Sequence, residues 1–251
     1  MKVYFVGAGP GDPGLITVKG KALLQEADII IYAGSLVNPE ILHYAGEEAE
    51  IHNSASMNLK EIISVIQEGV KESKKIVRLH TGDPGLYGAI QEQINLLEEK
   101  GIPYEVVPGV SSMAAAAASV GRELTQPGIT QSVIITRLEG RTPVPEKEEL
   151  SLFSKHQASL CIFLSVQKID EVVSRLKKGY SPDTPVAVVY KASWPEEKIL
   201  RGKLSDIADI VKEEGIEKTA LILVGEFLEG RGEPSKLYHS QFAHGYREAE
   251  N

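Results

Sequence analysis

The sequence predicts an α/β chain built as two α/β domains, an N-terminal one around a Rossmann-like parallel sheet and a C-terminal one around a mixed sheet. Three observations carry this. In the first half, short apolar runs alternate with segments of helical period, the β-α-β-α order of an open parallel sheet. Residues 121–131 (GRELTQPGITQ) then concentrate Gly, Pro and Thr without a helical pattern, which marks a boundary. Beyond it, the strand-like runs 185–190 and 198–204 are joined by little more than ASWPEE. That connection is too short for a helical crossover, so the two runs must pair antiparallel.

Taken in order, residues 3–6 (VYFV) read as the first strand. Residues 15–27 read as a helix, with Leu15, Val18, Ala22, Leu23 and Ala27 near one face. DIIIY at 28–32 is apolar without alternation, as a parallel strand covered on both faces should be. Residues 58–71 form an amphipathic helix that repeats Ile62, Ile63, Val65, Ile66 and Val70. Residues 76–79 are a strand, 87–100 a helix stopped by Gly101, and 104–107 a strand closed by Pro108 and Gly109. The Ala-rich run within 111–120 favours helix. The second half offers strands at 132–136, 160–165, 185–190, 198–204 and 219–224, with helices at 147–156, 169–178 and 205–214. The expected division is residues 1–125, residues 126–230, and a polar tail at 231–251.

The composition is 42% apolar and 25% charged, enough to bury a sizeable core. A net charge of −8 argues against a broad nucleic-acid surface but leaves room for a local basic pocket. Cys161 is the sole cysteine, so neither an internal disulfide nor a cysteine-based zinc cluster can form. No apolar run approaches the roughly 20 residues that span a bilayer, and no signal-peptide pattern is seen. A cytoplasmic protein with no bound metal, no membrane partner and no nucleic-acid partner is expected.

Two glycine-rich turns follow strands. GAGPGDPG at 7–14 is not the dinucleotide fingerprint, because Asp12 stands where GxGxxG needs its last glycine. The second strand ends Tyr32, Ala33, Gly34, Ser35, without the acidic residue that would hold a ribose. No GxxxxGK[ST] motif occurs, so nucleotide hydrolysis is unsupported. Pro10 and Pro13 stiffen the first turn while its glycines permit close backbone approach. It reads either as a plain βα turn or as the wall of a ligand site. HTGDPGLYG at 80–88 puts Asp83 at the carboxyl end of a strand, where open α/β sheets bind ligands. Asp83 alone reads equally as a turn or capping residue.

Segments 7–13, 82–88, 108–112 (PGVSS) and 220–225 (ALILVG), in that order, resemble the tetrapyrrole methylases, which use S-adenosylmethionine. The resemblance covers nearly the whole chain. It implies a methyl donor held in the cleft between two α/β domains, and a homodimer. YAGSLV at 32–37, TRLEGRTPVPE at 136–146, KASWPE at 191–196 and LYHSQFAHGYR at 237–247 are similar to the branch that methylates C11 of precorrin-4 in cobalamin synthesis. HTGDPGLYG is similar to its anaerobic form, whose substrate is cobalt-precorrin-4. Uroporphyrinogen-type members carry an Asp after the tyrosine of the second strand and a Lys soon afterwards. Here Ala33 takes that place, and no Lys lies between Lys21 and Lys60.

Carried over by position, Pro10, Gly82, Asp83, Leu86, Ser111, Ser112, Ser165, Ala192 and Ala220 are expected at the donor site. The implied acceptor, cobalt-precorrin-4 or precorrin-4, bears many carboxylates and so needs positive charge. Arg78, His80, Arg137, Arg141 and Arg201 are candidates, Arg137 and Arg141 being the preferred pair because guanidinium forks match carboxylates. Tyr87 and Trp194 are expected to flank the macrocycle, and His244 and Arg247 to bring the tail to the site. No residue is assigned acid–base work, since a sulfonium donor leaves readily once aligned. The competing readings are methylation of another corrin carbon, a nicotinamide-dependent reductase, and a tetrapyrrole carrier without catalysis.

Overall fold

Three strands of the first sheet, Val3–Gly7, Ile29–Tyr32 and Ile76–His80, are almost wholly buried on both faces, as their largely apolar runs predict. In the computed structural model, which describes residues 2–235, 237, 240–243 and 245–248, the chain divides into two units. One comprises Met1–Ala116 with Lys191–Glu197, the other Ala117–Tyr190 with Lys198–Asn251.

The first unit contains β1 (Val3–Gly7), β2 (Ile29–Tyr32), β3 (Glu50–Asn53), β4 (Ile76–His80) and β5 (Tyr104–Val107). They lie in the order β3-β2-β4-β1-β5, and every pair is parallel. Val3, Phe5, Ile31 and Ile76 face one way, onto Ile62 and Ile66 of α2 (Leu59–Lys71) and Ile94 and Leu97 of α3 (Gln91–Glu99). Val6, Ile30, Val77 and Leu79 face the other way, onto Leu23 and Leu24 of α1 (Val18–Gln25).

Three boundaries differ from expectation. β3 was not predicted, because EIHN at the sheet edge exposes most of its length, including Ile51, and presents no apolar run. The helix expected from residue 15 starts three residues later. Asp12 caps a separate 3₁₀ turn at Pro13–Leu15, and Thr17 then caps α1 by accepting from the Gly20 N–H. The helix expected from residue 87 begins at Gln91, because Tyr87 and Ala89 take left-handed φ values of 57° and 49°. α2 matches its expected span and is held by a full capping box between Asn58 and Glu61.

The second unit contains β6 (Val133–Arg137), β7 (Ser159–Phe163), β8 (Pro185–Tyr190), β9 (Lys198–Lys203) and β10 (Ala220–Val224). Their order is β6-β7-β10-β8-β9. Only the β6–β7 pair is parallel, so the sheet is mixed. β8 and β9 pair antiparallel from Tyr190 opposite Lys198 to Pro185 opposite Lys203, as the short connection requires. Leu160, Ile162, Val188 and Ile222 pack with Val172 and Leu176 of α6 (Ile169–Leu176) and Ile207 and Val211 of α7 (Ile207–Glu213). The helix expected at 147–156 is a single α turn, α5 (Leu150–Phe153), between two 3₁₀ turns, and it ends where Gln157 turns left-handed. α4 (Ser112–Val120) runs through the point where the two units divide. Cys161 is fully buried, and burial pushes its thiol up to about 12. Among the described residues no helix is long and apolar enough to cross a membrane.

Candidate functional site

β4, β1 and β5 are neighbours in a parallel sheet, so the loops that leave their carboxyl ends meet. Glycine makes the meeting close. A Cβ on Gly7 would stand 2.6 Å from the Gly109 Cα and 2.6 Å from the Gly82 carbonyl oxygen, and a Cβ on Gly109 would stand 2.2 Å from that same oxygen. Gly82 is left-handed, at φ +60°, and forms an isolated antiparallel bridge with Gly9. The Gly82 N–H donates to the Gly9 carbonyl at 2.8 Å.

Asp83 locks this junction. Its Oδ1 accepts from the Gly85 N–H at 2.8 Å and its Oδ2 from the Gly109 N–H at 2.9 Å. The carboxylate thus shapes the second turn and ties it to the loop that starts α4. On the open side of Gly82, the Ser111 Cα and Ser112 N each lie 3.7 Å from the position a Cβ would take. Ser111 Oγ caps the start of α4 by accepting from the Met113 N–H at 3.2 Å. Leu86 belongs to the same turn, its N–H donating to the Asp83 carbonyl at 3.2 Å. Gly82, Asp83, Leu86, Ser111 and Ser112 are therefore brought together.

Pro10 joins them through the segment Lys191–Glu197, which packs with the first unit. Trp194 Nε1–H donates to the Pro10 carbonyl at 2.9 Å. Its ring lies so close to Gly11 that a Cβ there would be 2.0 Å from the indole Cδ1. Ser193 Oγ accepts from the Asp12 N–H at 3.0 Å, and the Ser193 N–H is in turn held by Glu197 at 2.6 Å. Lys191 Nζ sits 4.9 Å from the indole centroid. Ala192 is buried in this same brace. Trp194 thus supports the first glycine turn, a role the lone aromatic did not signal in sequence.

A second cluster lies further along the sheet's carboxyl edge. Arg78 and His80, two apart on β4, share one face. Arg78 is 5% exposed. Its Nε donates to Gln93 Oε1 at 3.2 Å and its Nη1 to the Ile31 carbonyl at 3.1 Å, and Gln93 Nε2 donates on to the Ala89 carbonyl at 3.1 Å. Among the described residues no carboxylate pairs with this guanidinium, and burial alone lowers it to about 10. His80 is 4% exposed, its ring centroid 6.0 Å from that of Phe5. Burial first, and then the Arg78 charge, push the imidazole down to about 3, against the opposing effect of a hydrogen bond to the Gly88 backbone. Its Nε2 has no hydrogen-bond partner among the described residues. Both side chains line a pocket of about 310 Å³ with Ser35, Ser54, Met57 and Glu92. Gln93 was missed because a glutamine within the helical QEQ run reads as a solvent-facing residue.

His80 makes stability depend on pH. The folded imidazole stays neutral until about pH 3, while the unfolded chain takes up the proton near the ordinary imidazole value of 6.5. Stability contributed by this group is therefore lost as pH falls below 6.5, by about 1.4 kcal/mol per unit. Denaturant titrations at pH 7 and pH 5 should show the unmutated chain losing roughly 2 kcal/mol more than His80→Gln. An equal loss in both proteins would mean that His80 is protonated in the fold.

Apart from Tyr87, the remaining expected residues lie in the second unit or the tail. Ser165 is buried with its hydroxyl fully engaged, donating to the Phe163 carbonyl at 2.6 Å and accepting from the Leu138 N–H at 2.9 Å. Ala220 opens β10 opposite Tyr190. Arg137 Nη2 donates to the Thr142 carbonyl at 2.9 Å, which holds the 138–146 loop, and on that loop Arg141 is exposed. Arg201 donates to the Val120 carbonyl at 2.9 Å. Tyr87, in the first unit, is 44% exposed on its left-handed turn. Arg247 donates within the tail, to the Leu237 carbonyl at 2.9 Å, and His244 lies outside the described residues. Among the described residues no group of three or more His, Cys, Asp or Glu could hold a metal ion.

Residues 2–208 match the family model described as Tetrapyrrole (Corrin/Porphyrin) Methylases. The chain is 60% identical over 250 residues to a Methanocaldococcus jannaschii protein named cobalt-precorrin-4 C(11)-methyltransferase, covering 99% of this chain and 96% of that one. It is similar to the X-ray structure of a cobalamin biosynthetic enzyme, cobalt precorrin-4 methyltransferase, with a TM-score of 0.88, 49% identity, and coverage of 90% of this chain and 95% of that one. It is also similar to a uroporphyrin-III C-methyltransferase from Thermus thermophilus solved with S-adenosylhomocysteine. That match has a TM-score of 0.78 and 29% identity, and covers 93% of this chain and 96% of the other.

Proposed function

The chain belongs to the tetrapyrrole (corrin/porphyrin) methylases, and on that footing we propose that it transfers the methyl group of S-adenosylmethionine to C11 of cobalt-precorrin-4 in anaerobic cobalamin synthesis. The observation that carries this reading is the full-length 60% identity to a relative named for that reaction. S-adenosylmethionine supplies an electrophilic methyl on a sulfonium, which departs as a neutral thioether and needs no acid. The chain's own work is to bind, orient and exclude water, and such positioning is worth up to about 7–11 kcal/mol.

The three-loop junction suits the donor. Its glycines and Ser111 and Ser112 leave backbone groups uncovered by bulky side chains, and Leu86 offers an apolar contact in the same turn. Asp83 acts by holding Gly82 and Gly109 in place, since each of its oxygens already accepts a backbone N–H. Pro10 and Ala192 belong to the braced first turn. Ser165 and Ala220 are assigned to the donor site by position. For the acceptor, Arg78, Arg137 and Arg141 face the carboxylates and the neutral His80 lies beside Arg78 in the same pocket, with Tyr87 against the macrocycle and Trp194 reaching the site through the turn it supports. The protein works as a cytoplasmic homodimer without a resident metal, cobalt arriving with the substrate. Its domains are residues 1–125 and 126–230, followed by the tail from residue 231.

The test is incubation of cobalt-precorrin-4 with methyl-¹³C donor and carbon NMR of the product. Label on C11 is expected. Label on any other carbon, or none, overturns the assignment.

A further inference from the structure

We propose that the pocket at Arg78 is a receptor for one carboxylate arm of the acceptor, and that Gln93 is a positioning residue that keeps the Arg78 guanidinium charged and unpaired for it. The inference rests on the acceptor being the acidic tetrapyrrole proposed above, and it assigns a single arm to a defined place.

A buried cation with no anion beside it is costly, so chains rarely keep one without a partner to come. Among the described residues Arg78 is such a cation. Its hydrogen-bond acceptors among them, Gln93 Oε1 and the Ile31 carbonyl, are neutral oxygens that fix the plane of the fork without cancelling its charge. The pocket's volume of about 310 Å³ lies at the low end for small-molecule sites, roughly 300–1,000 Å³. It suits an arm rather than a whole macrocycle. Met57, Leu59 and Ile62 supply apolar lining for a methylene stem, and Arg78 supplies the positive charge in the same lining. Glu92 is the carboxylate in the lining. It is exposed at the first turn of α3 and forms no ion pair with Arg78.

His80 refines what the pocket accepts. With its ring spending one contact on the Gly88 backbone and Nε2 left open, the neutral imidazole offers a lone pair. It therefore takes a hydrogen-bond donor beside the carboxylate, a ligand N–H or a water, and turns away a second anion.

The decisive substitution is Gln93→Glu. It preserves shape, places a carboxylate where Oε1 now sits 3.2 Å from the Arg78 Nε, and neutralises the receptor from within. The KM for cobalt-precorrin-4 should rise about tenfold or more, in keeping with loss of a buried charge partner. The new carboxylate gains the Arg78 charge but loses the donation to the Ala89 carbonyl, so urea titration is used to confirm that the variant is folded, and calorimetric affinity for S-adenosylhomocysteine should stay as in the unmutated chain. Gln91→Glu, an added charge on the exposed side of the same helix, should leave KM within about twofold. Arg78→Lys, which keeps charge but loses the fork, should fall between the two. An unchanged KM in folded Gln93→Glu, or an equal rise in Gln91→Glu, overturns the proposal while leaving the methylase reading intact. If the unmutated chain binds S-adenosylhomocysteine but neither binds nor turns over cobalt-precorrin-4, the assigned acceptor and this pocket's role fall together.

Discussion

Asp83→Ala is expected to abolish measurable S-adenosylhomocysteine binding and to lower stability by about 3 kcal/mol. Two backbone N–H groups lose a charged acceptor, Gly85 within the turn and Gly109 across the junction, and hydrogen bonds to charged groups are worth roughly 1.5–3 kcal/mol each. The effect on binding follows from the same geometry. Gly109 leads into Ser111 and Ser112 at the start of α4, so freeing its N–H releases the backbone that faces Gly82. Ligand-contacting groups have to be held within about 0.5 Å to act together. Asp83→Asn separates the two contributions, because its amide keeps one accepting oxygen and replaces the other with a donor. It should retain about half of the stability and bind weakly. Calorimetry on folded protein, with urea titrations alongside, reads both quantities. Native affinity in folded Asp83→Ala would remove Asp83 from the donor site.

Asp83 also shows where sequence reasoning reaches its limit. That it ends a strand within a special turn is legible in GDP, and the strand itself is legible in IVRL, where Ile76, Val77 and Leu79 keep the apolar character of a doubly covered parallel strand despite Arg78. That its carboxylate holds Gly109, 26 residues away, is not legible. The contact depends on β1 standing between β4 and β5, with Gly7 in register opposite His80, and strand order is a tertiary property. The segment Lys191–Glu197 makes the same point. In sequence it is the loop of a second-half hairpin, and that hairpin is present between β8 and β9. Yet the loop itself packs with the first unit, Trp194 against Gly11 and Ser193 on Asp12. An indole opposite a glycine fits only one way round, but neither residue alone says which glycine. β3 and Gln93 were invisible for a simpler reason. An exposed edge strand and a buried glutamine both carry the polar residues that pattern reading assigns to solvent.

Gly109→Ala is expected to be more damaging than the backbone torsions suggest, and comparison with Gly101→Ala shows why. Gly101 is left-handed, at φ +64°, but a Cβ there meets nothing within 4 Å. Its substitution carries only the torsional cost of about 1–2 kcal/mol. Gly109 is not among the left-handed glycines, so no left-handed φ stands against alanine there. The Cβ would nevertheless stand 2.2 Å from the Gly82 oxygen and 2.8 Å from the Gly7 Cα. Both obstacles are backbone, so no rotamer change relieves them, and either the β1 loop or the β4 loop has to move. The cost should reach about 3 kcal/mol or more, the upper range for overpacking, and donor binding should be lost with it. Gly101→Ala should retain native affinity for S-adenosylhomocysteine. Urea titration and calorimetry on the pair decide the matter. Equal costs with binding kept in both would mean that the three loops do not touch in solution. A large cost confined to Gly109, together with lost binding, ties the donor site to the close approach of three glycine backbones.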